Sequence, residues 1–78
     1  MLKKEKRLII TFYTTTQAMA MEQVCKQCQA PGRIIPVPPS VQAGCGLAWS
    51  VPVEKKQELM MVMEENKLSY ERMQECMI

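Results

Sequence analysis

The sequence predicts an α+β domain of βαββαβ order, and three observations predict it. Leu8 to Tyr13 is a β-branched and aromatic run in which Leu8, Ile10 and Phe12 alternate with Ile9, Thr11 and Tyr13. Two stretches, Thr15 to Gln29 and Glu54 to Asn66, are rich in helix formers and repeat apolar residues at steps of three and four. Gly46 to Val51 alternates again, with Leu47, Trp49 and Val51 on one face and Ala48 and Ser50 on the other. A chain of 78 residues holds one hydrophobic core, so these segments belong to one domain, expected over residues 8–78 behind a basic tail at 1–7.

Each element has its own local reason. Leu8 to Tyr13 is the first strand. The threonines after it can cap a helix, because their hydroxyls accept the orphan N–H groups of a first turn, so helix one starts near Thr15 or Thr16. Ala18, Met21, Val24, Cys25 and Cys28 share a core-facing stripe on that helix, and Pro31 and Gly32 end it. Arg33 to Val37 reads as a short second strand; Pro36 and Pro38 each lack a ladder donor and confine it to a sheet edge. A loop covers Pro38 to Gly44, and Gly46 to Val51 is the third strand. Pro52 precedes helix two, whose Leu59, Val62 and Met63 lie on one face. Asn66 and Lys67 make a turn into a last strand, Leu68 to about Met73, whose alternation breaks near Arg72.

Two split βαβ units with right-handed crossovers make a four-stranded antiparallel sheet with both helices on one face, the ferredoxin-like arrangement. In it strands one and three are central antiparallel neighbours, so the end of one lies beside the start of the other. Thr14, Thr15 and Thr16 then share an edge with Cys45. The first helix opens there too, and its free amides and positive dipole end favour an anion, which a Cys45 thiolate would supply.

Composition excludes several classes. With 47% hydrophobic and 23% charged residues the chain is an ordinary globular one. The net charge of +2 is partly gathered in Lys3, Lys4, Lys6 and Arg7, a solubilising patch and not a nucleic-acid footprint. Leu8 to Tyr13 is too short for a signal-peptide core and no cleavage site follows, so neither export nor a membrane partner is expected, and the cytoplasm is the expected location. There is no histidine, no phosphate-cradling glycine loop and no paired carboxylate; Glu64 and Glu65 lie on a solvated helix face. Ordinary hydrolase or kinase chemistry does not fit, and a carrier or binding protein is expected before an enzyme. No cofactor is called for.

That leaves the four cysteines. Gly44 and Gly46 flank Cys45, permit unusual backbone angles and keep bulky side chains from the sulfur. A helix N-terminus or a cation such as Arg33 lowers a thiol pKa from about 8.5 into the range of roughly 3.5–7.5. The competing reading of Cys45 is a small residue in a tight turn, and the sequence physics weighs the two evenly. Cys25-Lys26-Gln27-Cys28 has the spacing of a redox dithiol or a metal clamp, yet it falls in the last turns of helix one, where the dipole opposes a thiolate. The remaining Cys45 and Cys76 do not complete a zinc site, so no metal is expected and Cys25 and Cys28 read as core thiols. A thiol metal chaperone on Cys25 and Cys28 is a weaker alternative. Cys76 reads as exposed tail. Met60, Met61 and Met63 read as core filling ahead of a soft-ligand groove.

Ile9 to Tyr13, Thr15 to Glu22, "RIIPVP", "SVQAGCGLA" and "EENKLSYE" together resemble a small bacterial family of selenium/sulfur carrier-like proteins, across nearly the whole chain from Leu8. The most specific pieces are Arg33-Ile34-Ile35-Pro36-x-Pro38 and Cys45-Gly46. By that resemblance Cys45 matches the family's signature cysteine, whereas Cys25 and Cys28 fall where members have aliphatic or small residues. Gln17 stands in place of a frequent histidine and Lys67 in place of a frequent glycine. The resemblance implies a carrier that takes sulfur or selenium on Cys45 as a persulfide or selenosulfide and passes it on, with a cysteine desulfurase or another transfer protein as partner. The alternative is a non-catalytic protein-interaction or small-ligand-binding module using the open sheet face of Ile9, Thr11, Tyr13, Ala48 and Ser50, with a homodimer left open.

Overall fold

The order β1 (Lys6–Thr11), α1 (Thr15–Cys28), β2 (Arg33–Pro36), β3 (Leu47–Pro52), α2 (Lys56–Glu65) and β4 (Arg72–Met77) appears in a computed structural model that describes residues 6–38, 41 and 46–77. The sheet order is β2-β3-β1-β4 and every neighbouring pair is antiparallel, the arrangement expected for a ferredoxin-like α+β fold. Leu8, Ile10 and Phe12 of the β1 segment pack with Trp49 and Val51 of β3 against Ala18, Met21 and Cys25 of α1 and Leu59 and Met63 of α2. Both helices therefore cover one face. Each large apolar side chain taken fully out of water there contributes about 1.5–3 kcal/mol.

Several boundaries move for physical reasons. β1 starts at Lys6, so Lys6 and Arg7 leave the expected tail and pair with Met77 and Cys76. It stops at Thr11 because Thr14 turns to cap α1: Thr14 Oγ1 accepts from the Gln17 amide at 3.2 Å, and Gln17 Oε1 accepts from the Tyr13 amide at 3.0 Å. α1 ends before Pro31, at Gln29, which takes a left-handed φ of 54° while the Ala30 amide bonds back to the Cys25 carbonyl at 2.8 Å. The second helical segment opens as a 3-10 turn at Val53–Lys55 before α2 proper.

At the end of α2 the Leu68 amide bonds the Met63 carbonyl at 3.0 Å and the Lys67 amide bonds that of Glu64 at 3.2 Å, a Schellman cap with Lys67 at φ 51°. This left-handed position is the one where the resemblance expects glycine.

The last strand is the largest correction. Leu68 to Tyr70 is connecting chain, and β4 runs from Arg72 to Met77 along the whole of β1. Its edge position leaves it only partly covered, with exposed Arg72, Glu75 and Met77, so no apolar alternation marks it. Cys76 is consequently not tail: it sits in the strand opposite Arg7, partly buried.

The second face of the sheet is also not open at its centre. Ile9, Thr11, Ala48 and Ser50 are all buried, and only Tyr13 of the expected open face is exposed. The register sets the long side chains of Arg7, Arg33, Ile35, Arg72 and Gln74 around these mostly small residues, and Arg7 reaches across to Ser50, its Nε donating to Oγ at 2.6 Å. The face expected for a docking module is thus covered within the chain.

Candidate functional site

The end of β1 and the start of β3 meet as the topology requires, with Thr11 opposite Ala48 and Ile10 opposite Trp49. One residue outside β3, Gly46 accepts a hydrogen bond from the Val37 amide at 3.0 Å, which prolongs the β2–β3 ladder by one rung. α1 opens at this same end of the sheet, three residues after β1 closes. Thr14, Thr15, Thr16 and Gly46 are accordingly brought to one edge. Cys45 and Gly44, the other residues expected at this edge, lie outside the described residues.

Within the edge the roles divide. Thr14 is spent on capping, and the Gln17 amide is satisfied by it. The amides of Thr15 and Thr16 are the first two of the helix and have no carbonyl four residues back to bond, so they are the ones left to face an anion. No acidic residue occupies the first turn of α1 to compete for that position. Gly46 is exposed, and a Cβ built on it would meet nothing within 4 Å. Among the described glycines only Gly32 has a positive φ, so Gly46 is not held to glycine by its backbone angle, contrary to the expectation for the flanking glycines; what it contributes is bare space.

Arg33 does not join this group. It pairs with Ser50, whereas Leu47, next to Gly46, pairs with Pro36. Three residues of strand separate the two pairs, roughly 10 Å along the sheet.

The Cys25 and Cys28 pair separates. Cys25 is buried in the core cluster, as expected, while Cys28 at the last helical position is exposed and leaves the core stripe. Burial and the neighbouring Cys28 push the Cys25 thiol from 9.0 up to about 11. It therefore remains a neutral thiol near pH 7, the opposite of what a transfer nucleophile or metal-binding thiolate needs.

A cavity of about 320 Å³ lies at the other end of the sheet, between the second half of α1 and the β2–β3 edge. The sequence reading did not find it. Its sequence signal is faint: Glu22 and Lys26 at helical spacing around Cys25, and a glycine at Gly32 whose reason only appears beside Trp49.

No helix among the described residues is long and apolar enough to cross a membrane. No curated protein and no solved structure is matched by the chain. A family model does match, over residues 7–75, from the second residue of β1 into β4 and across the Cys45-Gly46 pair. With a sheet of the expected order and a match of that extent, the chain belongs to the family described as "Putative Se/S carrier protein-like".

Proposed function

We propose that this protein carries sulfur or selenium on the thiol of Cys45. The observation that carries the reading is the family membership, which spans Cys45; the convergence of Gly46 and the α1 N-terminus on one sheet edge supports it.

In the proposed cycle the Cys45 thiolate attacks the terminal sulfur of a persulfide on a donor such as a cysteine desulfurase. The donor S–S bond breaks, the Cys45 S–S bond forms, and the donor leaves as a thiolate, so no external oxidant is consumed. With selenium the product is a selenosulfide. The Thr15 and Thr16 amides and the positive end of α1 stabilise the anion before and after transfer, Thr14 holds that helix end in shape, and the bare flank at Gly46 admits the donor.

The test is mass spectrometry after incubation with a cysteine desulfurase and cysteine. A mass gain of one sulfur, localised to Cys45 and lost in Cys45→Ser, is expected. Sulfur found on Cys28 or Cys76 instead, or on no cysteine, overturns the assignment. Alkylation of each cysteine against pH gives a second reading: Cys45 is expected to label at a lower apparent pKa than the other three.

A further inference from the structure

The cavity beside Trp49 has a mouth and a floor of different chemistry. Exposed Lys26 and Arg33 bring two positive charges to it and exposed Glu22 brings one negative charge. None of the three is ion-paired among the described residues. Ala30, Ile34 and the Trp49 ring supply apolar lining, and buried Cys25 adds a polarizable sulfur. The Trp49 indole N–H is already spent on the Pro31 carbonyl at 3.1 Å, so the ring offers carbon surface and no free donor. A volume of about 320 Å³ falls at the lower end of small-molecule sites.

We infer that this cavity binds a small zwitterion with an apolar body, an apolar α-amino acid, with its carboxylate toward Lys26 and Arg33, its ammonium toward Glu22 and its side chain against Ala30, Ile34 and Trp49. Two cations and one anion around one apolar space match a molecule bearing both charges on one carbon. A purely apolar ligand would leave the charged rim unused, and a simple anion would leave Glu22 repelling it. The site is independent of the Cys45 reading, since it lies at the far end of the sheet from Gly46.

Trp49 is the sole tryptophan, so its emission reports directly on the cavity. The full chain is titrated with L-leucine, which does not absorb with tryptophan, and in parallel with 4-methylpentanoate and isopentylamine, which lack the ammonium and the carboxylate. Leucine is expected to give a saturable change in emission below about 10 mM, and each analogue to bind about tenfold more weakly. Lys26→Gln and Arg33→Gln are each expected to weaken leucine binding about tenfold, and Glu22→Gln to weaken leucine but not 4-methylpentanoate. All three positions are exposed, and circular dichroism confirms that the variants remain folded. The inference is overturned by an absence of saturable change, by 4-methylpentanoate binding as tightly as leucine, or by leucine binding unmoved in all three variants.

Discussion

Trp49 and Gly32 are interlocked: the indole N–H of Trp49 bonds the Pro31 carbonyl at 3.1 Å, and a Cβ on Gly32 would overlap the indole nitrogen and sit 2.8 Å from the Ser50 carbonyl oxygen. Gly32 also has a φ of +104°, a backbone region L side chains rarely enter. Gly32→Ala is therefore expected to cost at least about 1–3 kcal/mol, with a red-shifted Trp49 emission as the indole is displaced. Urea unfolding followed by fluorescence measures both, and a variant as stable as the parent would show that the interlock is not a constraint.

Lys67 is the reverse case. It holds a φ of 51° with a side chain that gains nothing from it. Lys67→Gly is expected to stabilise the domain by about 0.5–1 kcal/mol, since relief of left-handed strain outweighs the added freedom of the unfolded chain. Thermal melting of the pair checks the sign.

The Arg7 to Ser50 bond spans β1 and β3 on the face away from the helices. Removing Arg7 takes a charged donor from a buried hydroxyl, so Arg7→Ala is expected to cost about 1.5–3 kcal/mol. A double-mutant cycle with Ser50→Ala isolates this contact from the others Arg7 makes; a coupling energy near zero would count against it.

Cys25 makes stability depend on pH in the alkaline range. Its pKa is raised on folding from 9.0 to about 11, so its contribution is fully present below pH 9 and is lost as the pH rises through 11. Denaturant midpoints are expected to fall across that window, and to fall less in Cys25→Ala after correction for the cavity it leaves. In the folded protein near pH 8, exposed Cys28 is expected to alkylate well before Cys25.

Gly46 separates access from folding. A Cβ there meets no neighbour and φ is not positive, so Gly46→Ala is expected to change stability by less than about 0.5 kcal/mol. Slower sulfur loading of Gly46→Val at unchanged stability would place the entry path along this flank, and unchanged loading would argue that the donor approaches elsewhere.

Much of this was legible from local pattern. The alternation of Leu8 to Phe12 and of Leu47 to Val51, and the spacing of Ala18, Met21 and Cys25, each identify a buried face, because period alone decides which side chains point together. The cap at Thr14 was legible within a residue for the same reason: its partner, Gln17, is three residues away. β4 was missed in place because an edge strand paired on one side needs no apolar period, and what sets its position is the pairing of Arg72 to Met77 with β1.

The sequence by itself determined the element order, the core face of each helix and central strand, and thereby the sheet edge to which Thr14, Thr15, Thr16 and Gly46 belong. These follow from interactions a few residues apart and from burying one apolar face per element. Only the tertiary structure decided that Arg33 stands by Ser50 and away from Gly46, that Cys28 faces water while Cys25 does not, that Cys76 lies opposite Arg7, that the second sheet face is covered, and that a charged-rimmed cavity opens beside Trp49. Register and helix ends set those outcomes, and both depend on contacts between residues far apart in the chain, which no local period encodes.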